Sequence, residues 1–193
     1  MKLVKIYILV AILGISLYAG EIQYAANVKS LYLDKESTKT IGRVLPTTEV
    51  EIVKSEGTRV LAIIKGWGEN TSALYAIPGI RILNAAFTKG VEAPYKILES
   101  KTIKDKQYHH YAFEVYMDKT DLVNELEPLY EEAKTLYTNN CSMCHALHPT
   151  KEFKANQWPS IIKSMLSRTA IPKDKSHLVI QYVQKNASDV ENQ

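Results

Sequence analysis

Apolar side chains recur at every second position in stretches of the first part of the chain and then switch to a helical spacing. Val50 and Ile52, followed by Val60, Ala62 and Ile64, occupy every second position, the period that turns one face of a strand toward a core. Asp34-Lys35-Glu36-Ser37 and Ser55-Glu56-Gly57 supply polar turn chemistry, so residues 24–67 are expected to form short strands. The theme returns in Tyr95-Lys96-Ile97-Leu98, a polar turn through Lys104-Asp105-Lys106, and the alternating Tyr111, Phe113 and Val115. Two hairpins of one small barrel and two similar units both fit that echo. Near residue 120 the period changes. Leu129, Ala133, Leu136 and Tyr137 share one helix face, with Pro128 tolerated in the first turn. Asn156 suits the N-cap of a second helix carrying Trp158, Ile161, Ile162, Met165 and Leu166 on one side, closed by Ile171-Pro172. A last helix presents Leu178, Val179, Tyr182 and Val183 together.

The pattern therefore predicts the α+β class: a β-rich domain over residues 20–120, then a small all-α domain over 121–193. A helical unit that small holds together poorly on apolar burial alone and needs a staple.

Residues 1–19 have the layout of an export signal. Lys2 and Lys5 form a basic start, Tyr7 to Tyr18 is an uncharged apolar run, and Ala19 is small enough for cleavage. The run falls short of the roughly 20 apolar residues that span a bilayer. An uncleaved anchor is the alternative, because Leu17 is large for its place before the cut. The segment directs the chain to the periplasm. The whole sequence carries 24 Lys and Arg against 21 Asp and Glu; without Lys2 and Lys5 the basic count falls to 22, and the exported chain is close to neutral. It has no concentrated basic stripe interleaved with aromatics, so a nucleic-acid partner is not expected.

The staple is Cys141-Ser142-Met143-Cys144-His145, which contains both cysteines of the chain. In C-x-x-C-H the two thiols add to the two vinyl groups of one haem, and the next residue's imidazole reaches the iron. Three other readings compete. A zinc ribbon needs a second ligand pair, which the sequence lacks. A thioredoxin-like pair opens a helix after a strand, whereas here a helical pattern leads into the motif. A structural disulfide is the third reading.

Around that motif, Ala133-x-x-Leu136-Tyr137-x-x-x-Cys141-x-x-Cys144-His145 and a closing helix with Tyr182-Val183 resemble the small monohaem cytochromes c. In that family the first and last helices cross at a glycine, where this chain has Ala133. The resemblance implies a sixth iron ligand. Met165 is the first choice, 20 residues after His145 on the apolar face of the Trp158 helix; its other reading is simple core. His148 is the second choice, three residues past His145, and His109, His110 and His177 are more distant options. Met143 sits between the cysteines, badly placed for the distal side.

The string Cys-x-x-Cys-His-Ala-Leu-His-Pro, with Phe153, Ala155-Asn156-Gln157-Trp158, Met165, Arg168-Thr169-Ala170 and Gln181-Tyr182, is similar to the C-terminal domain of the pentahaem cytochromes that feed periplasmic trimethylamine-N-oxide reductases. Gly79-Ile80-Arg81-Ile82-Leu83-Asn84-Ala85-Ala86 is similar to the segment preceding that haem domain, and residues 28–67 resemble a bacterial Src-homology-3-like domain. Those cytochromes carry four further haems, each with its own motif; this chain has one motif. The resemblance implies a terminal electron-delivery domain made as a separate protein: a periplasmic carrier with one haem c, not an enzyme. Its acceptor would be a molybdopterin-dependent N-oxide or S-oxide reductase and its donor a quinol-linked membrane protein. Two rival readings are a haem sensor with an open iron position, and an adaptor whose β-rich half binds a partner or the cell wall.

Overall fold

The computed structural model describes residues 20–190, so the expected export signal over 1–19 lies outside the described residues. Ten strands form one sheet: β1 (Glu21–Ala25), β2 (Lys29–Leu31), β3 (Gly42–Val44), β4 (Glu49–Glu56), β5 (Arg59–Gly68), β6 (Ala73–Ile77), β7 (Ile80–Phe87), β8 (Tyr95–Ile103), β9 (Lys106–Asp118) and β10 (Leu122–Val123). The path runs β10-β1-β4-β5-β6-β7-β3-β2, with β9 pairing both β5 and β8. β5 is the spine. It matches β4 and β9 along its length, and beyond the reach of β4 its Trp67 pairs Tyr75 of β6. Tyr32, just past β2, exchanges two 2.9 Å backbone hydrogen bonds with Tyr116 of β9, which curls the sheet back on itself as a half-barrel.

The alternation seen in the sequence fills the inside of that curl. Val60, Ala62 and Ile64 are buried, and so are Val50, Tyr111, Phe113 and Val115. The β8–β9 hairpin turns at Lys104-Asp105, both with positive φ (49° and 64°), a conformation that a two-residue hairpin turn requires. The alternation does not mark β6 and β7: in β7 Ile82 faces the helices while Ala85 faces the barrel, so the run Ile80-Arg81-Ile82-Leu83 lacks a strict period of two.

Three helices follow: α1 (Glu127–Cys141), α2 (Trp158–Met165) and α3 (Ser176–Lys185). The expectation of a small all-α domain is corrected here. Among the described residues strand outweighs helix, and the three short helices lie on the sheet and share a core with it: Trp158, Ile162, Val179 and Val183 pack together with Ile82 of β7. α3 is buried on more than one face, since Ile180, Gln181 and Gln184 are covered as well as Leu178, Val179 and Val183. The reason lies in β7. β3 pairs only its last residues, Ala85 to Phe87. Farther back, Gln181 Nε2 donates to the Leu83 carbonyl (2.7 Å), and Gln184 Nε2 donates to the carbonyls of Arg81 (3.2 Å) and Ala155 (2.9 Å). Asn156, expected as an N-cap, instead accepts the Arg81 N–H at 2.8 Å, and Gln157 holds the cap position. Ala133 of α1 packs against Leu178 of α3, both fully buried. Among the described residues, no helix is long and apolar enough to cross a membrane.

Candidate functional site

α1 delivers the cysteine motif. Its last turn ends at Cys141, and Ser142 closes the helix by donating both its N–H (3.3 Å) and its hydroxyl (2.7 Å) to the Thr138 carbonyl. Cys144 and His145 follow in the turn beyond, beside a largely apolar cavity of about 200 Å³. Tyr137, Cys141, Cys144 and His145 line it from α1 and this turn, and Trp158, Ile162 and Met165 line it from α2. His148 and Arg168 also reach it.

Hydrogen bonds orient the two histidines. His145 Nδ1 lies 2.7 Å from the Ala146 carbonyl, which can only accept, so Nδ1 carries a proton and the neutral ring has its lone pair on Nε2. His148 Nδ1 lies 2.9 Å from Glu152 Oε2 and donates to that carboxylate. The two rings pack 5.1 Å apart. Tyr137 donates its hydroxyl to the His148 carbonyl at 2.7 Å, and burial pushes that hydroxyl's pKa well up, so it stays a donor. Trp158, fully buried, donates Nε1 to the Thr150 carbonyl at 3.1 Å and meets Tyr137 and Phe153 edge-on.

Cys141 and Cys144 are not joined to each other in the structure. Cys141 is half-buried, and that burial raises its pKa; Cys144 is exposed. Among the described residues, no group of three or more His, Cys, Asp or Glu side chains is gathered as ligands for a bare metal ion. The donor set does fit a haem: two thiols three residues apart, an imidazole with a free Nε2 and a thioether, around one apolar cavity.

Of the residues singled out from sequence, Cys141, Cys144, His145, His148 and Met165 come together, with Met165 40% exposed. His109, His110 and His177 do not line the cavity. His109 bonds Ser100 Oγ, His110 stacks on Trp67 at 4.8 Å, and His177 starts α3. Met143 points away, 77% exposed. Sequence reasoning missed Asn140, which lines the cavity and ties its walls. The available signal was its place three residues after Tyr137, on the same helix face.

Comparison with known proteins adds three findings. Residues 18–122 match the family described as the TorC third cytochrome c domain; that match ends before Cys141. The cytochrome c-type protein TorC of Escherichia coli (strain K12) is 30% identical over 176 residues, covering 89% of this chain and 45% of that protein. The cytochrome c-type protein TorY of Haemophilus influenzae is 25% identical over 184 residues, covering 93% of this chain and 48% of that protein. The chain spans about half the length of these curated relatives. No solved structure matches it.

Proposed function

Since the chain belongs to the family of the TorC third cytochrome c domain, a cytochrome c with covalently bound haem c, we propose that it holds one haem at Cys141, Cys144 and His145 and passes single electrons in the periplasm. The observation that carries this reading is the meeting of two free thiols and an imidazole with a free Nε2 at one apolar cavity. Bound there, haem c supplies an iron that changes oxidation state by one electron. Cys141 and Cys144 would hold it by thioether bonds, and His145 Nε2 and the Met165 sulfur would ligate its iron. The Ala146 carbonyl keeps His145 in the binding tautomer. Trp158 and Ile162 keep water from the cavity wall.

In this account residues 1–19 export the chain, residues 20–120 form its β-rich part and residues 121–193 bear the haem. The proposed donor is a quinol-linked membrane protein. The proposed acceptor is a periplasmic molybdopterin-dependent N-oxide or S-oxide reductase. Two electrons delivered one at a time, with two protons, convert an N-oxide there to the amine and water; the carrier itself performs no bond chemistry.

A second reading, a haem sensor or ligand-binding protein with an open iron position, draws on the 40% exposure of Met165, whose sulfur is not locked in the core. Anaerobic mixing tests the carrier. The reduced holoprotein, added to a catalytic amount of purified trimethylamine-N-oxide reductase, should be reoxidised when trimethylamine N-oxide is supplied. A haem that stays reduced would contradict this acceptor.

A further inference from the structure

We propose that Asn140 is a positioning residue: its side-chain amide ties the helix that ends at Cys141 to the segment that follows Met165, and so sets where the Met165 sulfur stands relative to the cysteine anchors. The inference rests on the reading of Met165 as an iron ligand.

Asn140 is half-buried in the last turn of α1, directly before Cys141. Its Nδ2 donates to the Leu136 carbonyl one turn back, at 2.9 Å. Its Oδ1 accepts the Ala170 N–H, also at 2.9 Å. The orientation of the amide is fixed by chemistry, because one partner can only accept and the other can only donate. One end of the side chain is thus held by its own helix, and the other holds a strand of chain that comes from α2.

That chain needs holding. α2 ends at Met165, and residues 166–168 make a single tight turn in which the Thr169 N–H (3.2 Å) and hydroxyl (3.0 Å) both return to the Leu166 carbonyl. Ala170 comes next, then Ile171, which is buried in the helical core. Met165 therefore stands between two anchors: Ile162 on its own helix, and the Asn140–Ala170 tie beyond the turn. Its own packing holds it weakly, since 40% of it is exposed. A thioether ligand set by packing alone would be free to leave, whereas one whose flanking chain is clasped to the cysteine helix is returned to the same place. The clasp acts on the spacing between the two ligand-bearing elements and touches no iron ligand directly.

The test uses the full-length holoprotein and three variants that break the amide in different ways. Asn140→Ala removes both bonds. Asn140→Ser retains a donor for the Leu136 carbonyl but is too short to reach Ala170. Asn140→Asp keeps the acceptor for the Ala170 N–H and loses the other bond. Carbon monoxide affinity of the reduced form is read per covalently attached haem, together with the reduction potential. Loss of one hydrogen bond of this kind should raise carbon monoxide affinity roughly fivefold in Asn140→Ala and Asn140→Ser, with Asn140→Asp close to wild type. Equal affinities in all four proteins, or a rise in Asn140→Asp matching that in Asn140→Ser, would overturn the positioning role while leaving Met165 as ligand. Tight carbon monoxide binding by the wild type would instead remove Met165 as ligand, and the role of Asn140 with it.

Discussion

Gln181 donates its side-chain N–H to the Leu83 carbonyl at 2.7 Å, across 98 residues of sequence, and this bond joins the last helix to the sheet. The Gln181 Oε1 is buried without a partner among the described residues. Replacing Gln181 with Ala leaves the Leu83 carbonyl orphaned and opens a void, and should cost about 2–3 kcal/mol. Gln181→Leu fills the space and removes the unpartnered oxygen, so its cost should be smaller, about 1 kcal/mol. Denaturant unfolding of the two variants checks the order; equal stabilities would contradict it.

Lys185, in the last turn of α3, donates to both the carbonyl and the hydroxyl of Thr47 at 2.9 Å. Burial pulls its ammonium pKa down to about 8, against the opposing pull of Glu49. An unfolded lysine keeps its proton to about pH 10.5. Between the two values the folded state has released a proton that the unfolded state still binds, so stability rises with pH across that window. Tyrosines reverse the sign above pH 10: burial raises Tyr130 to about 12 and Tyr137 further, so the unfolded chain loses those protons first. Unfolding free energies measured from pH 7 to 10 should rise more steeply in the wild type than in Lys185→Met. Parallel curves would show that Lys185 is not desolvated.

Trp158 carries the wall of the cavity. It is fully buried, and its Nε1 is spent on the Thr150 carbonyl. Trp158→Ala should cost about 3–5 kcal/mol through the void it leaves. Trp158→Phe keeps part of the packing and loses the hydrogen bond, and should cost about 1–2 kcal/mol. Thermal unfolding of the purified holoproteins checks both values, and a neutral Trp158→Ala would mean that the wall collapses freely around the gap.

Attachment is tested by removing the thiols. Cys144→Ser should retain haem through acid–acetone extraction, held by the remaining thioether at Cys141. Cys141→Ser with Cys144→Ser should lose it. Haem retained by the double variant would show that the group is bound elsewhere in the chain.

Much of the sheet was legible because core-facing residues recur with period two: Val60, Ala62 and Ile64 are buried, with half-buried neighbours between them. The cavity residues were legible because C-x-x-C-H is a short-range pattern, complete within five positions. The way the helices sit on the sheet was not. Gln181 and Gln184 look like solvated helix positions, and nothing local shows that they meet the carbonyls of Leu83 and Arg81 about a hundred residues away. Asn156 shows the same limit: it has the chemistry of an N-cap, and a strand N–H from Arg81 takes its oxygen first. A small all-α domain was expected because these polar contacts, made with the sheet, have no periodicity to betray them.

The central claim is a single closed haem site that cycles one electron. The visible spectrum of the periplasmic holoprotein, recorded oxidised, then reduced, then under carbon monoxide, tests it most directly. The account predicts one covalent haem per chain with a sharp low-spin reduced spectrum that stays unchanged at carbon monoxide concentrations that saturate an open five-coordinate haem. A high-spin reduced spectrum that shifts with carbon monoxide would contradict it, remove Met165 as ligand and favour the sensor.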